Sequence, residues 1–408
     1  MFVNKNIAVL HATETELLFN FDNGVIAGVT AEAIEFLNEL KEENIDVDKL
    51  NGDEREFFEF LQDNDFISKN EFSYEVKPVS AYIHLTNKCN LHCVGCYSLD
   101  EKRNKYEDMT TKEIKEVILQ LRTGGVENLI FSGGEPLLTK NIIEIVRYAK
   151  IDCKFPNLIL ITNGTIFNKA VLGDLAKYID TVSVSLDTYC SDGKPFLRDP
   201  NIFDKIMRSI SWLKETGNNV NILPTIHHLN SKYLEEYVNL AKKLGVTISF
   251  SILSACFEGE LLNYLPNDED LQTISQFMKK TDMAIEDSSI VEKFHAENYC
   301  GAGKTIISVG TDGNVYPCHM LMYDEFCLGN IRKESLIDIL KHSQKLNVFK
   351  NLNVDKLSGG CKECPFKYFC GGGCRARSYM KYRNVTTRDP YCVLFKDYYG
   401  EMTEEMFK

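Results

Sequence analysis

The stretch "AYIHLTNKCNLHCVGC", residues 81–96, joins an apolar run to three cysteines, Cys89, Cys93 and Cys96, within eight positions. The run has the pattern of a buried strand, and the polar residues after it that of a tight loop. Gaps of three and two residues let one loop turn three thiolates toward a single centre. Soft thiolates suit iron–sulfur or zinc, and the spacing excludes neither. The missing fourth ligand says more: structural zinc and most clusters take four protein ligands, so three thiolates leave one position for a small molecule.

Working outward, short apolar runs alternate with amphipathic helices from residue 77 to 255: "AYIHLT", "ENLIFSGG", "NLILITNG", "TVSVSLD", "NVNILPTI" and "TISFSIL" are separated by patterns such as "TKEIKEVILQLRTGG" and "KYLEEYVNLAKKLG". Six strands with helices between them predict a parallel α/β sheet or barrel, with its chemistry at the C-terminal ends of the strands. The Cys triplet follows strand one, "SGGEP" ends strand two, "TNG" strand three and "SLD" strand four, so all converge on one mouth.

Composition bounds the rest. A chain of 408 residues is long enough for two or three domains. With 46 Lys and Arg against 59 Asp and Glu, the net charge is −13, which argues against nucleic acid or an anionic membrane surface as partner. The N-terminus lacks a signal-peptide pattern and no apolar run is long enough to span a bilayer, so the expected location is cytoplasmic. In that reducing compartment, 14 cysteines point to metal or redox chemistry.

Residues 1–76 begin with the alternating "IAVLHATETELLFNF", broken by "DNG" at 22–24, and continue with two helical patterns for which Thr30 and Asp53 are the expected N-caps. A strand pair with helices and no catalytic constellation has the texture of a binding module. Residues 256–408 are irregular and rich in Cys and Gly, a segment expected to need metal crosslinks for its order.

The triplet loop after strand one, together with "GGEP" at the end of strand two, resembles the radical S-adenosylmethionine (SAM) superfamily. That resemblance implies a partial (β/α)6 TIM barrel and a [4Fe-4S] cluster on Cys89, Cys93 and Cys96. SAM chelates its open iron and is cleaved to a 5'-deoxyadenosyl radical that abstracts a hydrogen atom from substrate. It further implies cofactor contacts from Gly133, Gly134, Glu135 and Pro136 to the amino group of SAM, and from Ser185 and Arg198 to its ribose and carboxylate. A guanidinium fork suits a carboxylate. Asn163 in "TNG" is either a cofactor contact or part of an ordinary turn. The family usually carries a bulky residue before the third cysteine; here it is Gly95, which leaves Tyr97 to face the adenine.

The C-terminal cysteines read Cys300-x12-Gly313-x4-Cys318, then Cys361-x2-Cys364-x5-Cys370-x3-Cys374-x17-Cys392. This resembles the SPASM domain, implying two auxiliary [4Fe-4S] clusters and three clusters in all. Cys361, Cys364, Cys370 and Cys392 would hold the distal cluster; Cys300, Cys318 and Cys374 would hold the proximal one. The fourth proximal ligand is left among His295, Cys327, a substrate thiolate or none. Cys153, Cys190 and Cys256 have no partners at ligand spacing and are expected to be buried small hydrophobes. His227 and His228, after strand five, are expected to be packed or solvated, with proton shuttling the alternative.

Residues 1–76 more loosely resemble the winged helix-turn-helix precursor-recognition (PqqD-like) domain of ribosomal peptide biosynthesis. Together the resemblances imply a radical SAM peptide maturase acting on a ribosomally made precursor with a leader, with a flavodoxin- or ferredoxin-type electron donor. A Cys thioether crosslink is the favoured product. A carbon–carbon crosslink or sulfatase-type dehydrogenation is the alternative, and a non-catalytic iron–sulfur carrier lies outside that class.

Overall fold

A computed structural model describes the chain apart from residues 14, 43–46, 73–76, 97–106, 192–196, 282–294 and 405–408. Its first seven elements are β1 (Phe2–Val3), β2 (Ile7–His11), β3 (Glu16–Asn20), β4 (Ile26–Val29), α1 (Ala31–Glu42), α2 (Gly52–Asp63) and β5 (Ile67–Ser68). The expected strand pair is a three-stranded antiparallel sheet in the order β2-β3-β4, and β1 pairs with β5. Thr30 caps α1, accepting the Ala33 N–H. The cap of α2 is Asn51 instead of Asp53. Its side chain accepts the Glu54 N–H while the Glu54 carboxylate accepts the Asn51 N–H, both at 3.0 Å. Two orphan donors are met at once, and Asp53 falls in the first turn, where its charge favours the helix N-terminus.

Because side chains alternate along a strand, β3 faces two cores. Leu18 packs with Leu37, Leu40, Phe58 and Leu61 inside the module. Leu17 and Phe19 point the other way into the main core. There the Phe19 ring lies 5.3 Å from both Tyr368 and Phe369, which seats the module on the C-terminal region.

Next come β6 (Ser80–His84), α3 (Thr111–Thr123), β7 (Asn128–Ser132), α4 (Ile142–Arg147), β8 (Asn157–Thr162), α5 (Lys169–Leu175), β9 (Thr181–Leu186), α6 (Phe203–Glu215), β10 (Val220–Ile226) and α7 (Leu234–Leu244). The sixth strand is split into β11 (Thr247–Ile248) and β12 (Ser251–Ile252), each parallel to β10. Between them Phe250 turns into edge contact with Tyr237 and Phe277. From β6 to β11 each strand lies beside its predecessor in sequence and parallel to it. With every pair parallel and no reversal of order, all of these strands end at the same side.

The C-terminal region is more regular than its composition suggests. It contains α8 (Asp268–Thr281), β13 (Ile306–Val309), β14 (Asn314–Tyr316), β15 (Gly329–Asn330), α9 (Leu336–His342), α10 (Gln344–Asn351), α11 (Lys367–Cys370), α12 (Arg375–Tyr382) and α13 (Cys392–Met402). β13 adds parallel to the free edge of β6 and carries β14 and β15 antiparallel beyond it, so one sheet crosses the boundary at 256. Short helices between Gly- and Cys-rich loops are too brief to leave a clear period in the sequence.

Candidate active site

The mouth is built where the strands end. After β6, Thr86 accepts the Gly134 N–H at 2.6 Å and Lys88 accepts the Glu135 N–H at 2.8 Å, zipping the start of the cysteine loop to the end of β7. A Cβ on Gly133, at φ +132, would sit 2.5 Å from the Thr86 carbonyl, and one on Gly134 would sit 2.2 Å from that of Lys88. These glycines let two backbone segments touch. Asp108 completes the anchor, accepting the Thr86 hydroxyl at 2.6 Å and the Asn87 N–H at 3.0 Å.

Glu135 is fully buried and accepts the Thr162 hydroxyl and Asn163 N–H, both at 2.7 Å, and the Leu137 N–H at 3.1 Å. Burial pushes its carboxyl up, while those donors and the Arg198 charge pull it down. The carboxylate expected to orient an ammonium is therefore engaged in bracing β7 against β8. Pro136 is buried in the turn that follows. Asn163 donates to Cys89 Sγ at 3.8 Å and to Asn90 Oδ1 at 3.0 Å, and its own oxygen accepts from Thr165.

Arg198 reaches across to donate to Cys93 Sγ at 3.9 Å. Burial raises the Cys93 thiol and the guanidinium opposes it, so the site already holds a cation against sulfur. Ser185 is half-buried on β9, where its backbone is paired with β10. Tyr97 lies outside the described residues. Gly95 takes φ +69, and a Cβ there would come 3.1 Å from Leu253, so a bulky side chain at this position would be both strained and crowded.

The C-terminal sulfurs form two groups. Cys318 is raised by burial and by neighbouring Cys374 and Cys300. Cys370 is raised by burial and by Cys364, Cys392 and Cys361, and these four line one cleft of about 450 Å³. Backbone donors face the sulfurs: Leu91 N–H to Cys89 at 3.5 Å, Met320 N–H to Cys318 at 3.5 Å and Gly372 N–H to Cys370 at 3.3 Å. Burial raises the thiols of Cys93, Cys318, Cys361, Cys370 and Cys392, while backbone N–H donors at Cys89, Cys318 and Cys370 favour a thiolate; this donor chemistry suits iron–sulfur ligation, and as placed no three of the described ligating side chains yet close around a single ion. Of the fourth-ligand candidates, His295 packs its ring against Gly24 and Cys327 donates to the Gly329 carbonyl at 3.5 Å.

Family models agree with this layout. The Radical SAM superfamily matches residues 83–241, and the iron–sulfur cluster-binding SPASM domain matches 300–365. The chain thus carries a radical SAM domain followed by a SPASM domain. It is 28% identical over 337 residues to the mycofactocin maturase MftC of Mycolicibacterium smegmatis, covering 78% of this chain and 83% of that one. It is equally 28% identical over 338 residues to the AdoMet-dependent heme synthase of Methanosarcina barkeri, covering 76% and 94%. In fold it is similar to Streptococcus suis SuiB bound to its precursor peptide SuiA, at a TM-score of 0.61 and 16% identity, covering 96% of this chain and 99% of that one. The remaining 4% of 408 residues is about 16, so that likeness extends into residues 1–76.

The radical SAM domain uses residues that its motifs do not announce. Asp187, 5% exposed, accepts the Leu197 N–H at 3.0 Å and the Arg198 N–H at 3.1 Å, and so sets where Arg198 begins. Its position after "SVSL" at a strand end was the available signal. Asn90 bridges Asn163 and Thr165, a link between positions too far apart in sequence to be read there. His228 and Asp270 pair at 2.7 Å, whereas His227 is buried with its ring drawn down to about 4. Cys153 is buried as expected; Cys256 instead bonds the Tyr323 hydroxyl beside the proximal set.

Proposed function

We propose that this enzyme is a peptide maturase whose N-terminal module binds the leader of a ribosomally made precursor while the core peptide enters the mouth. The observation that carries this reading is the module itself. It has a core of its own, is fixed to the SPASM region through Phe19, and in the order β2-β3-β4 leaves an outer edge on β2 and on β4. An open edge takes an extended peptide by strand addition, and tethering at one site raises the effective concentration at the other. The winged helix-turn-helix assignment and the partial barrel belong to the same reading, supported by the strand order and by the likeness to SuiB.

Cys89, Cys93 and Cys96 would hold a [4Fe-4S] cluster, which when bound would supply the electron for reductive cleavage of SAM and so the radical chemistry on the substrate. Around it Arg198 stands ready for a carboxylate, Ser185 for a hydroxyl, and the Thr86–Glu135 zipper holds the loop still. Two auxiliary clusters are assigned to Cys300, Cys318 and Cys374, and to Cys361, Cys364, Cys370 and Cys392. The three-thiol proximal set, with His295 and Cys327 engaged elsewhere, favours capture of a substrate thiolate and hence a Cys thioether product. Lys396 and Arg388 beside Cys392 suit an acidic flavodoxin or ferredoxin donor. A second reading, tetrapyrrole chemistry, is favoured by the equal similarity to a heme synthase.

The test is anaerobic reconstitution followed by iron counting and assay of 5'-deoxyadenosine release with dithionite. About twelve irons, falling to about eight with release abolished in the Cys89, Cys93, Cys96 triple alanine variant, is the expected result for three [4Fe-4S] clusters. A mass loss in a Cys-containing precursor supports the maturase. Turnover of an iron porphyrin with no peptide product would replace it.

A further inference from the structure

A buried cation without an anionic partner is costly. Arg375 is 2% exposed and Lys304 7%. Arg375 donates to the carbonyls of Gly372, Gly373, Val385 and Thr387, all neutral. Lys304 holds its ammonium 3.9 Å from the centre of the Tyr299 ring, and its charged neighbour on the protein side is Lys356, a second cation. Among the described residues neither forms an ion pair with a carboxylate. Arg377, two positions away, is equally buried and does, meeting Asp389 at 2.7 Å.

What adjoins these cations is sulfur. Lys304 lies beside Cys300 of the proximal set. Arg375 lies beside Cys361 of the distal set and also lines a small open recess with Cys300 and Tyr299. Arg375 thus stands between the two thiol groups, and both side chains are charged where the protein offers no counter-charge of its own. An assembled cubane is an anion, because its thiolates outweigh its core, and a nearby buried cation stabilises the added electron of the reduced state.

We propose that Lys304 and Arg375 are the counter-cations of the auxiliary clusters and raise their reduction potentials, Arg375 acting on both. This rests on the assignment of clusters to both thiol sets. A purely structural role for either residue would alter cluster retention or thermal stability and leave the potential unchanged.

The full-length Cys89, Cys93, Cys96 triple alanine variant, holding auxiliary iron alone, is the parent for an EPR-monitored redox titration. Lys304→Met is expected to lower the one-electron reduction equilibrium constant at least tenfold, ~59 mV, with Lys304→Arg within about threefold of the parent. Arg375→Gln should move the signals of both clusters, and Arg375→Lys neither. Lys304→Met with full iron and an unmoved potential overturns the proposal. If Arg375→Gln loses its iron, the Lys304 pair still decides. A parent without auxiliary iron would instead overturn the cluster assignment, a separate result.

Discussion

Gly133 and Gly134 are two positions at which a methyl group decides the site. Their Cβ atoms would press into the carbonyls of Thr86 and Lys88, backbone that leads directly to Cys89. Gly134→Ala is expected to cost about 1–3 kcal/mol and to reduce iron by about four per chain, leaving auxiliary iron in place; iron analysis beside thermal melting checks this. Glu135→Ala leaves three donors unsatisfied in a dry interior, and should lower stability by about 2–4 kcal/mol in urea titration. Histidines give the pH dependence. Burial draws His84 and His227 down to about 4. The unfolded chain takes up these protons from about pH 6.5 downward and the folded chain does not, so stability should fall as pH drops from about 6.5 to about 4, by up to about 1.4 kcal/mol per unit for each histidine. Urea midpoints of the unloaded protein at pH 7 and 5 measure it, and a His227→Asn variant should show the shallower slope.

Among the elements, the loop between β9 and α6 is fixed from its first residue. Asp187 accepts two backbone N–H groups and so aims Arg198 at Cys93. Asp187→Ala should weaken SAM binding about tenfold by isothermal titration, while Arg198→Lys, keeping charge but losing the fork, should do the same without affecting the fold. β3 is the other decisive element, since it serves the module with one face and the SPASM region with the other. Phe19→Ala removes contacts to Tyr368 and Phe369 and should cost about 3–5 kcal/mol of docking. Hydrogen exchange should quicken at that interface while the Leu18 side of the module stays protected.

Across the whole molecule, a run of contacts links the proximal cysteine set to the first cysteine loop. Asp389 accepts the Cys374 N–H at 2.6 Å and the Tyr391 N–H at 2.8 Å and is clamped by Arg377. Tyr391 then donates its hydroxyl to the Leu253 carbonyl at 2.7 Å, and Leu253 packs on Gly95 of the first loop. Deleting residues 1–76 tests the N-terminal module, which is joined to the rest through Phe19 and through the Gly24 carbonyl that accepts the Ala296 N–H. Reductive SAM cleavage should persist and precursor modification should fall at least about 100-fold, an avidity loss of the size that tethering supplies.

The parallel α/β order and the common side on which the strands end were legible in the sequence, because alternation and helical period are local properties that neighbours in the chain carry together. What the side chains at the mouth do was not. Whether Glu135 faces a cofactor or β8, whether a helix takes its cap from Asn51 or Asp53, and whether β3 is covered on one side or two depend on which groups arrive from elsewhere. The partnering of Asp187 with the 197–198 backbone and the isolation of Lys304 and Arg375 from any described carboxylate are likewise sums over distant neighbours. A burial or a hydrogen bond has two ends, and the sequence near one residue carries only one of them.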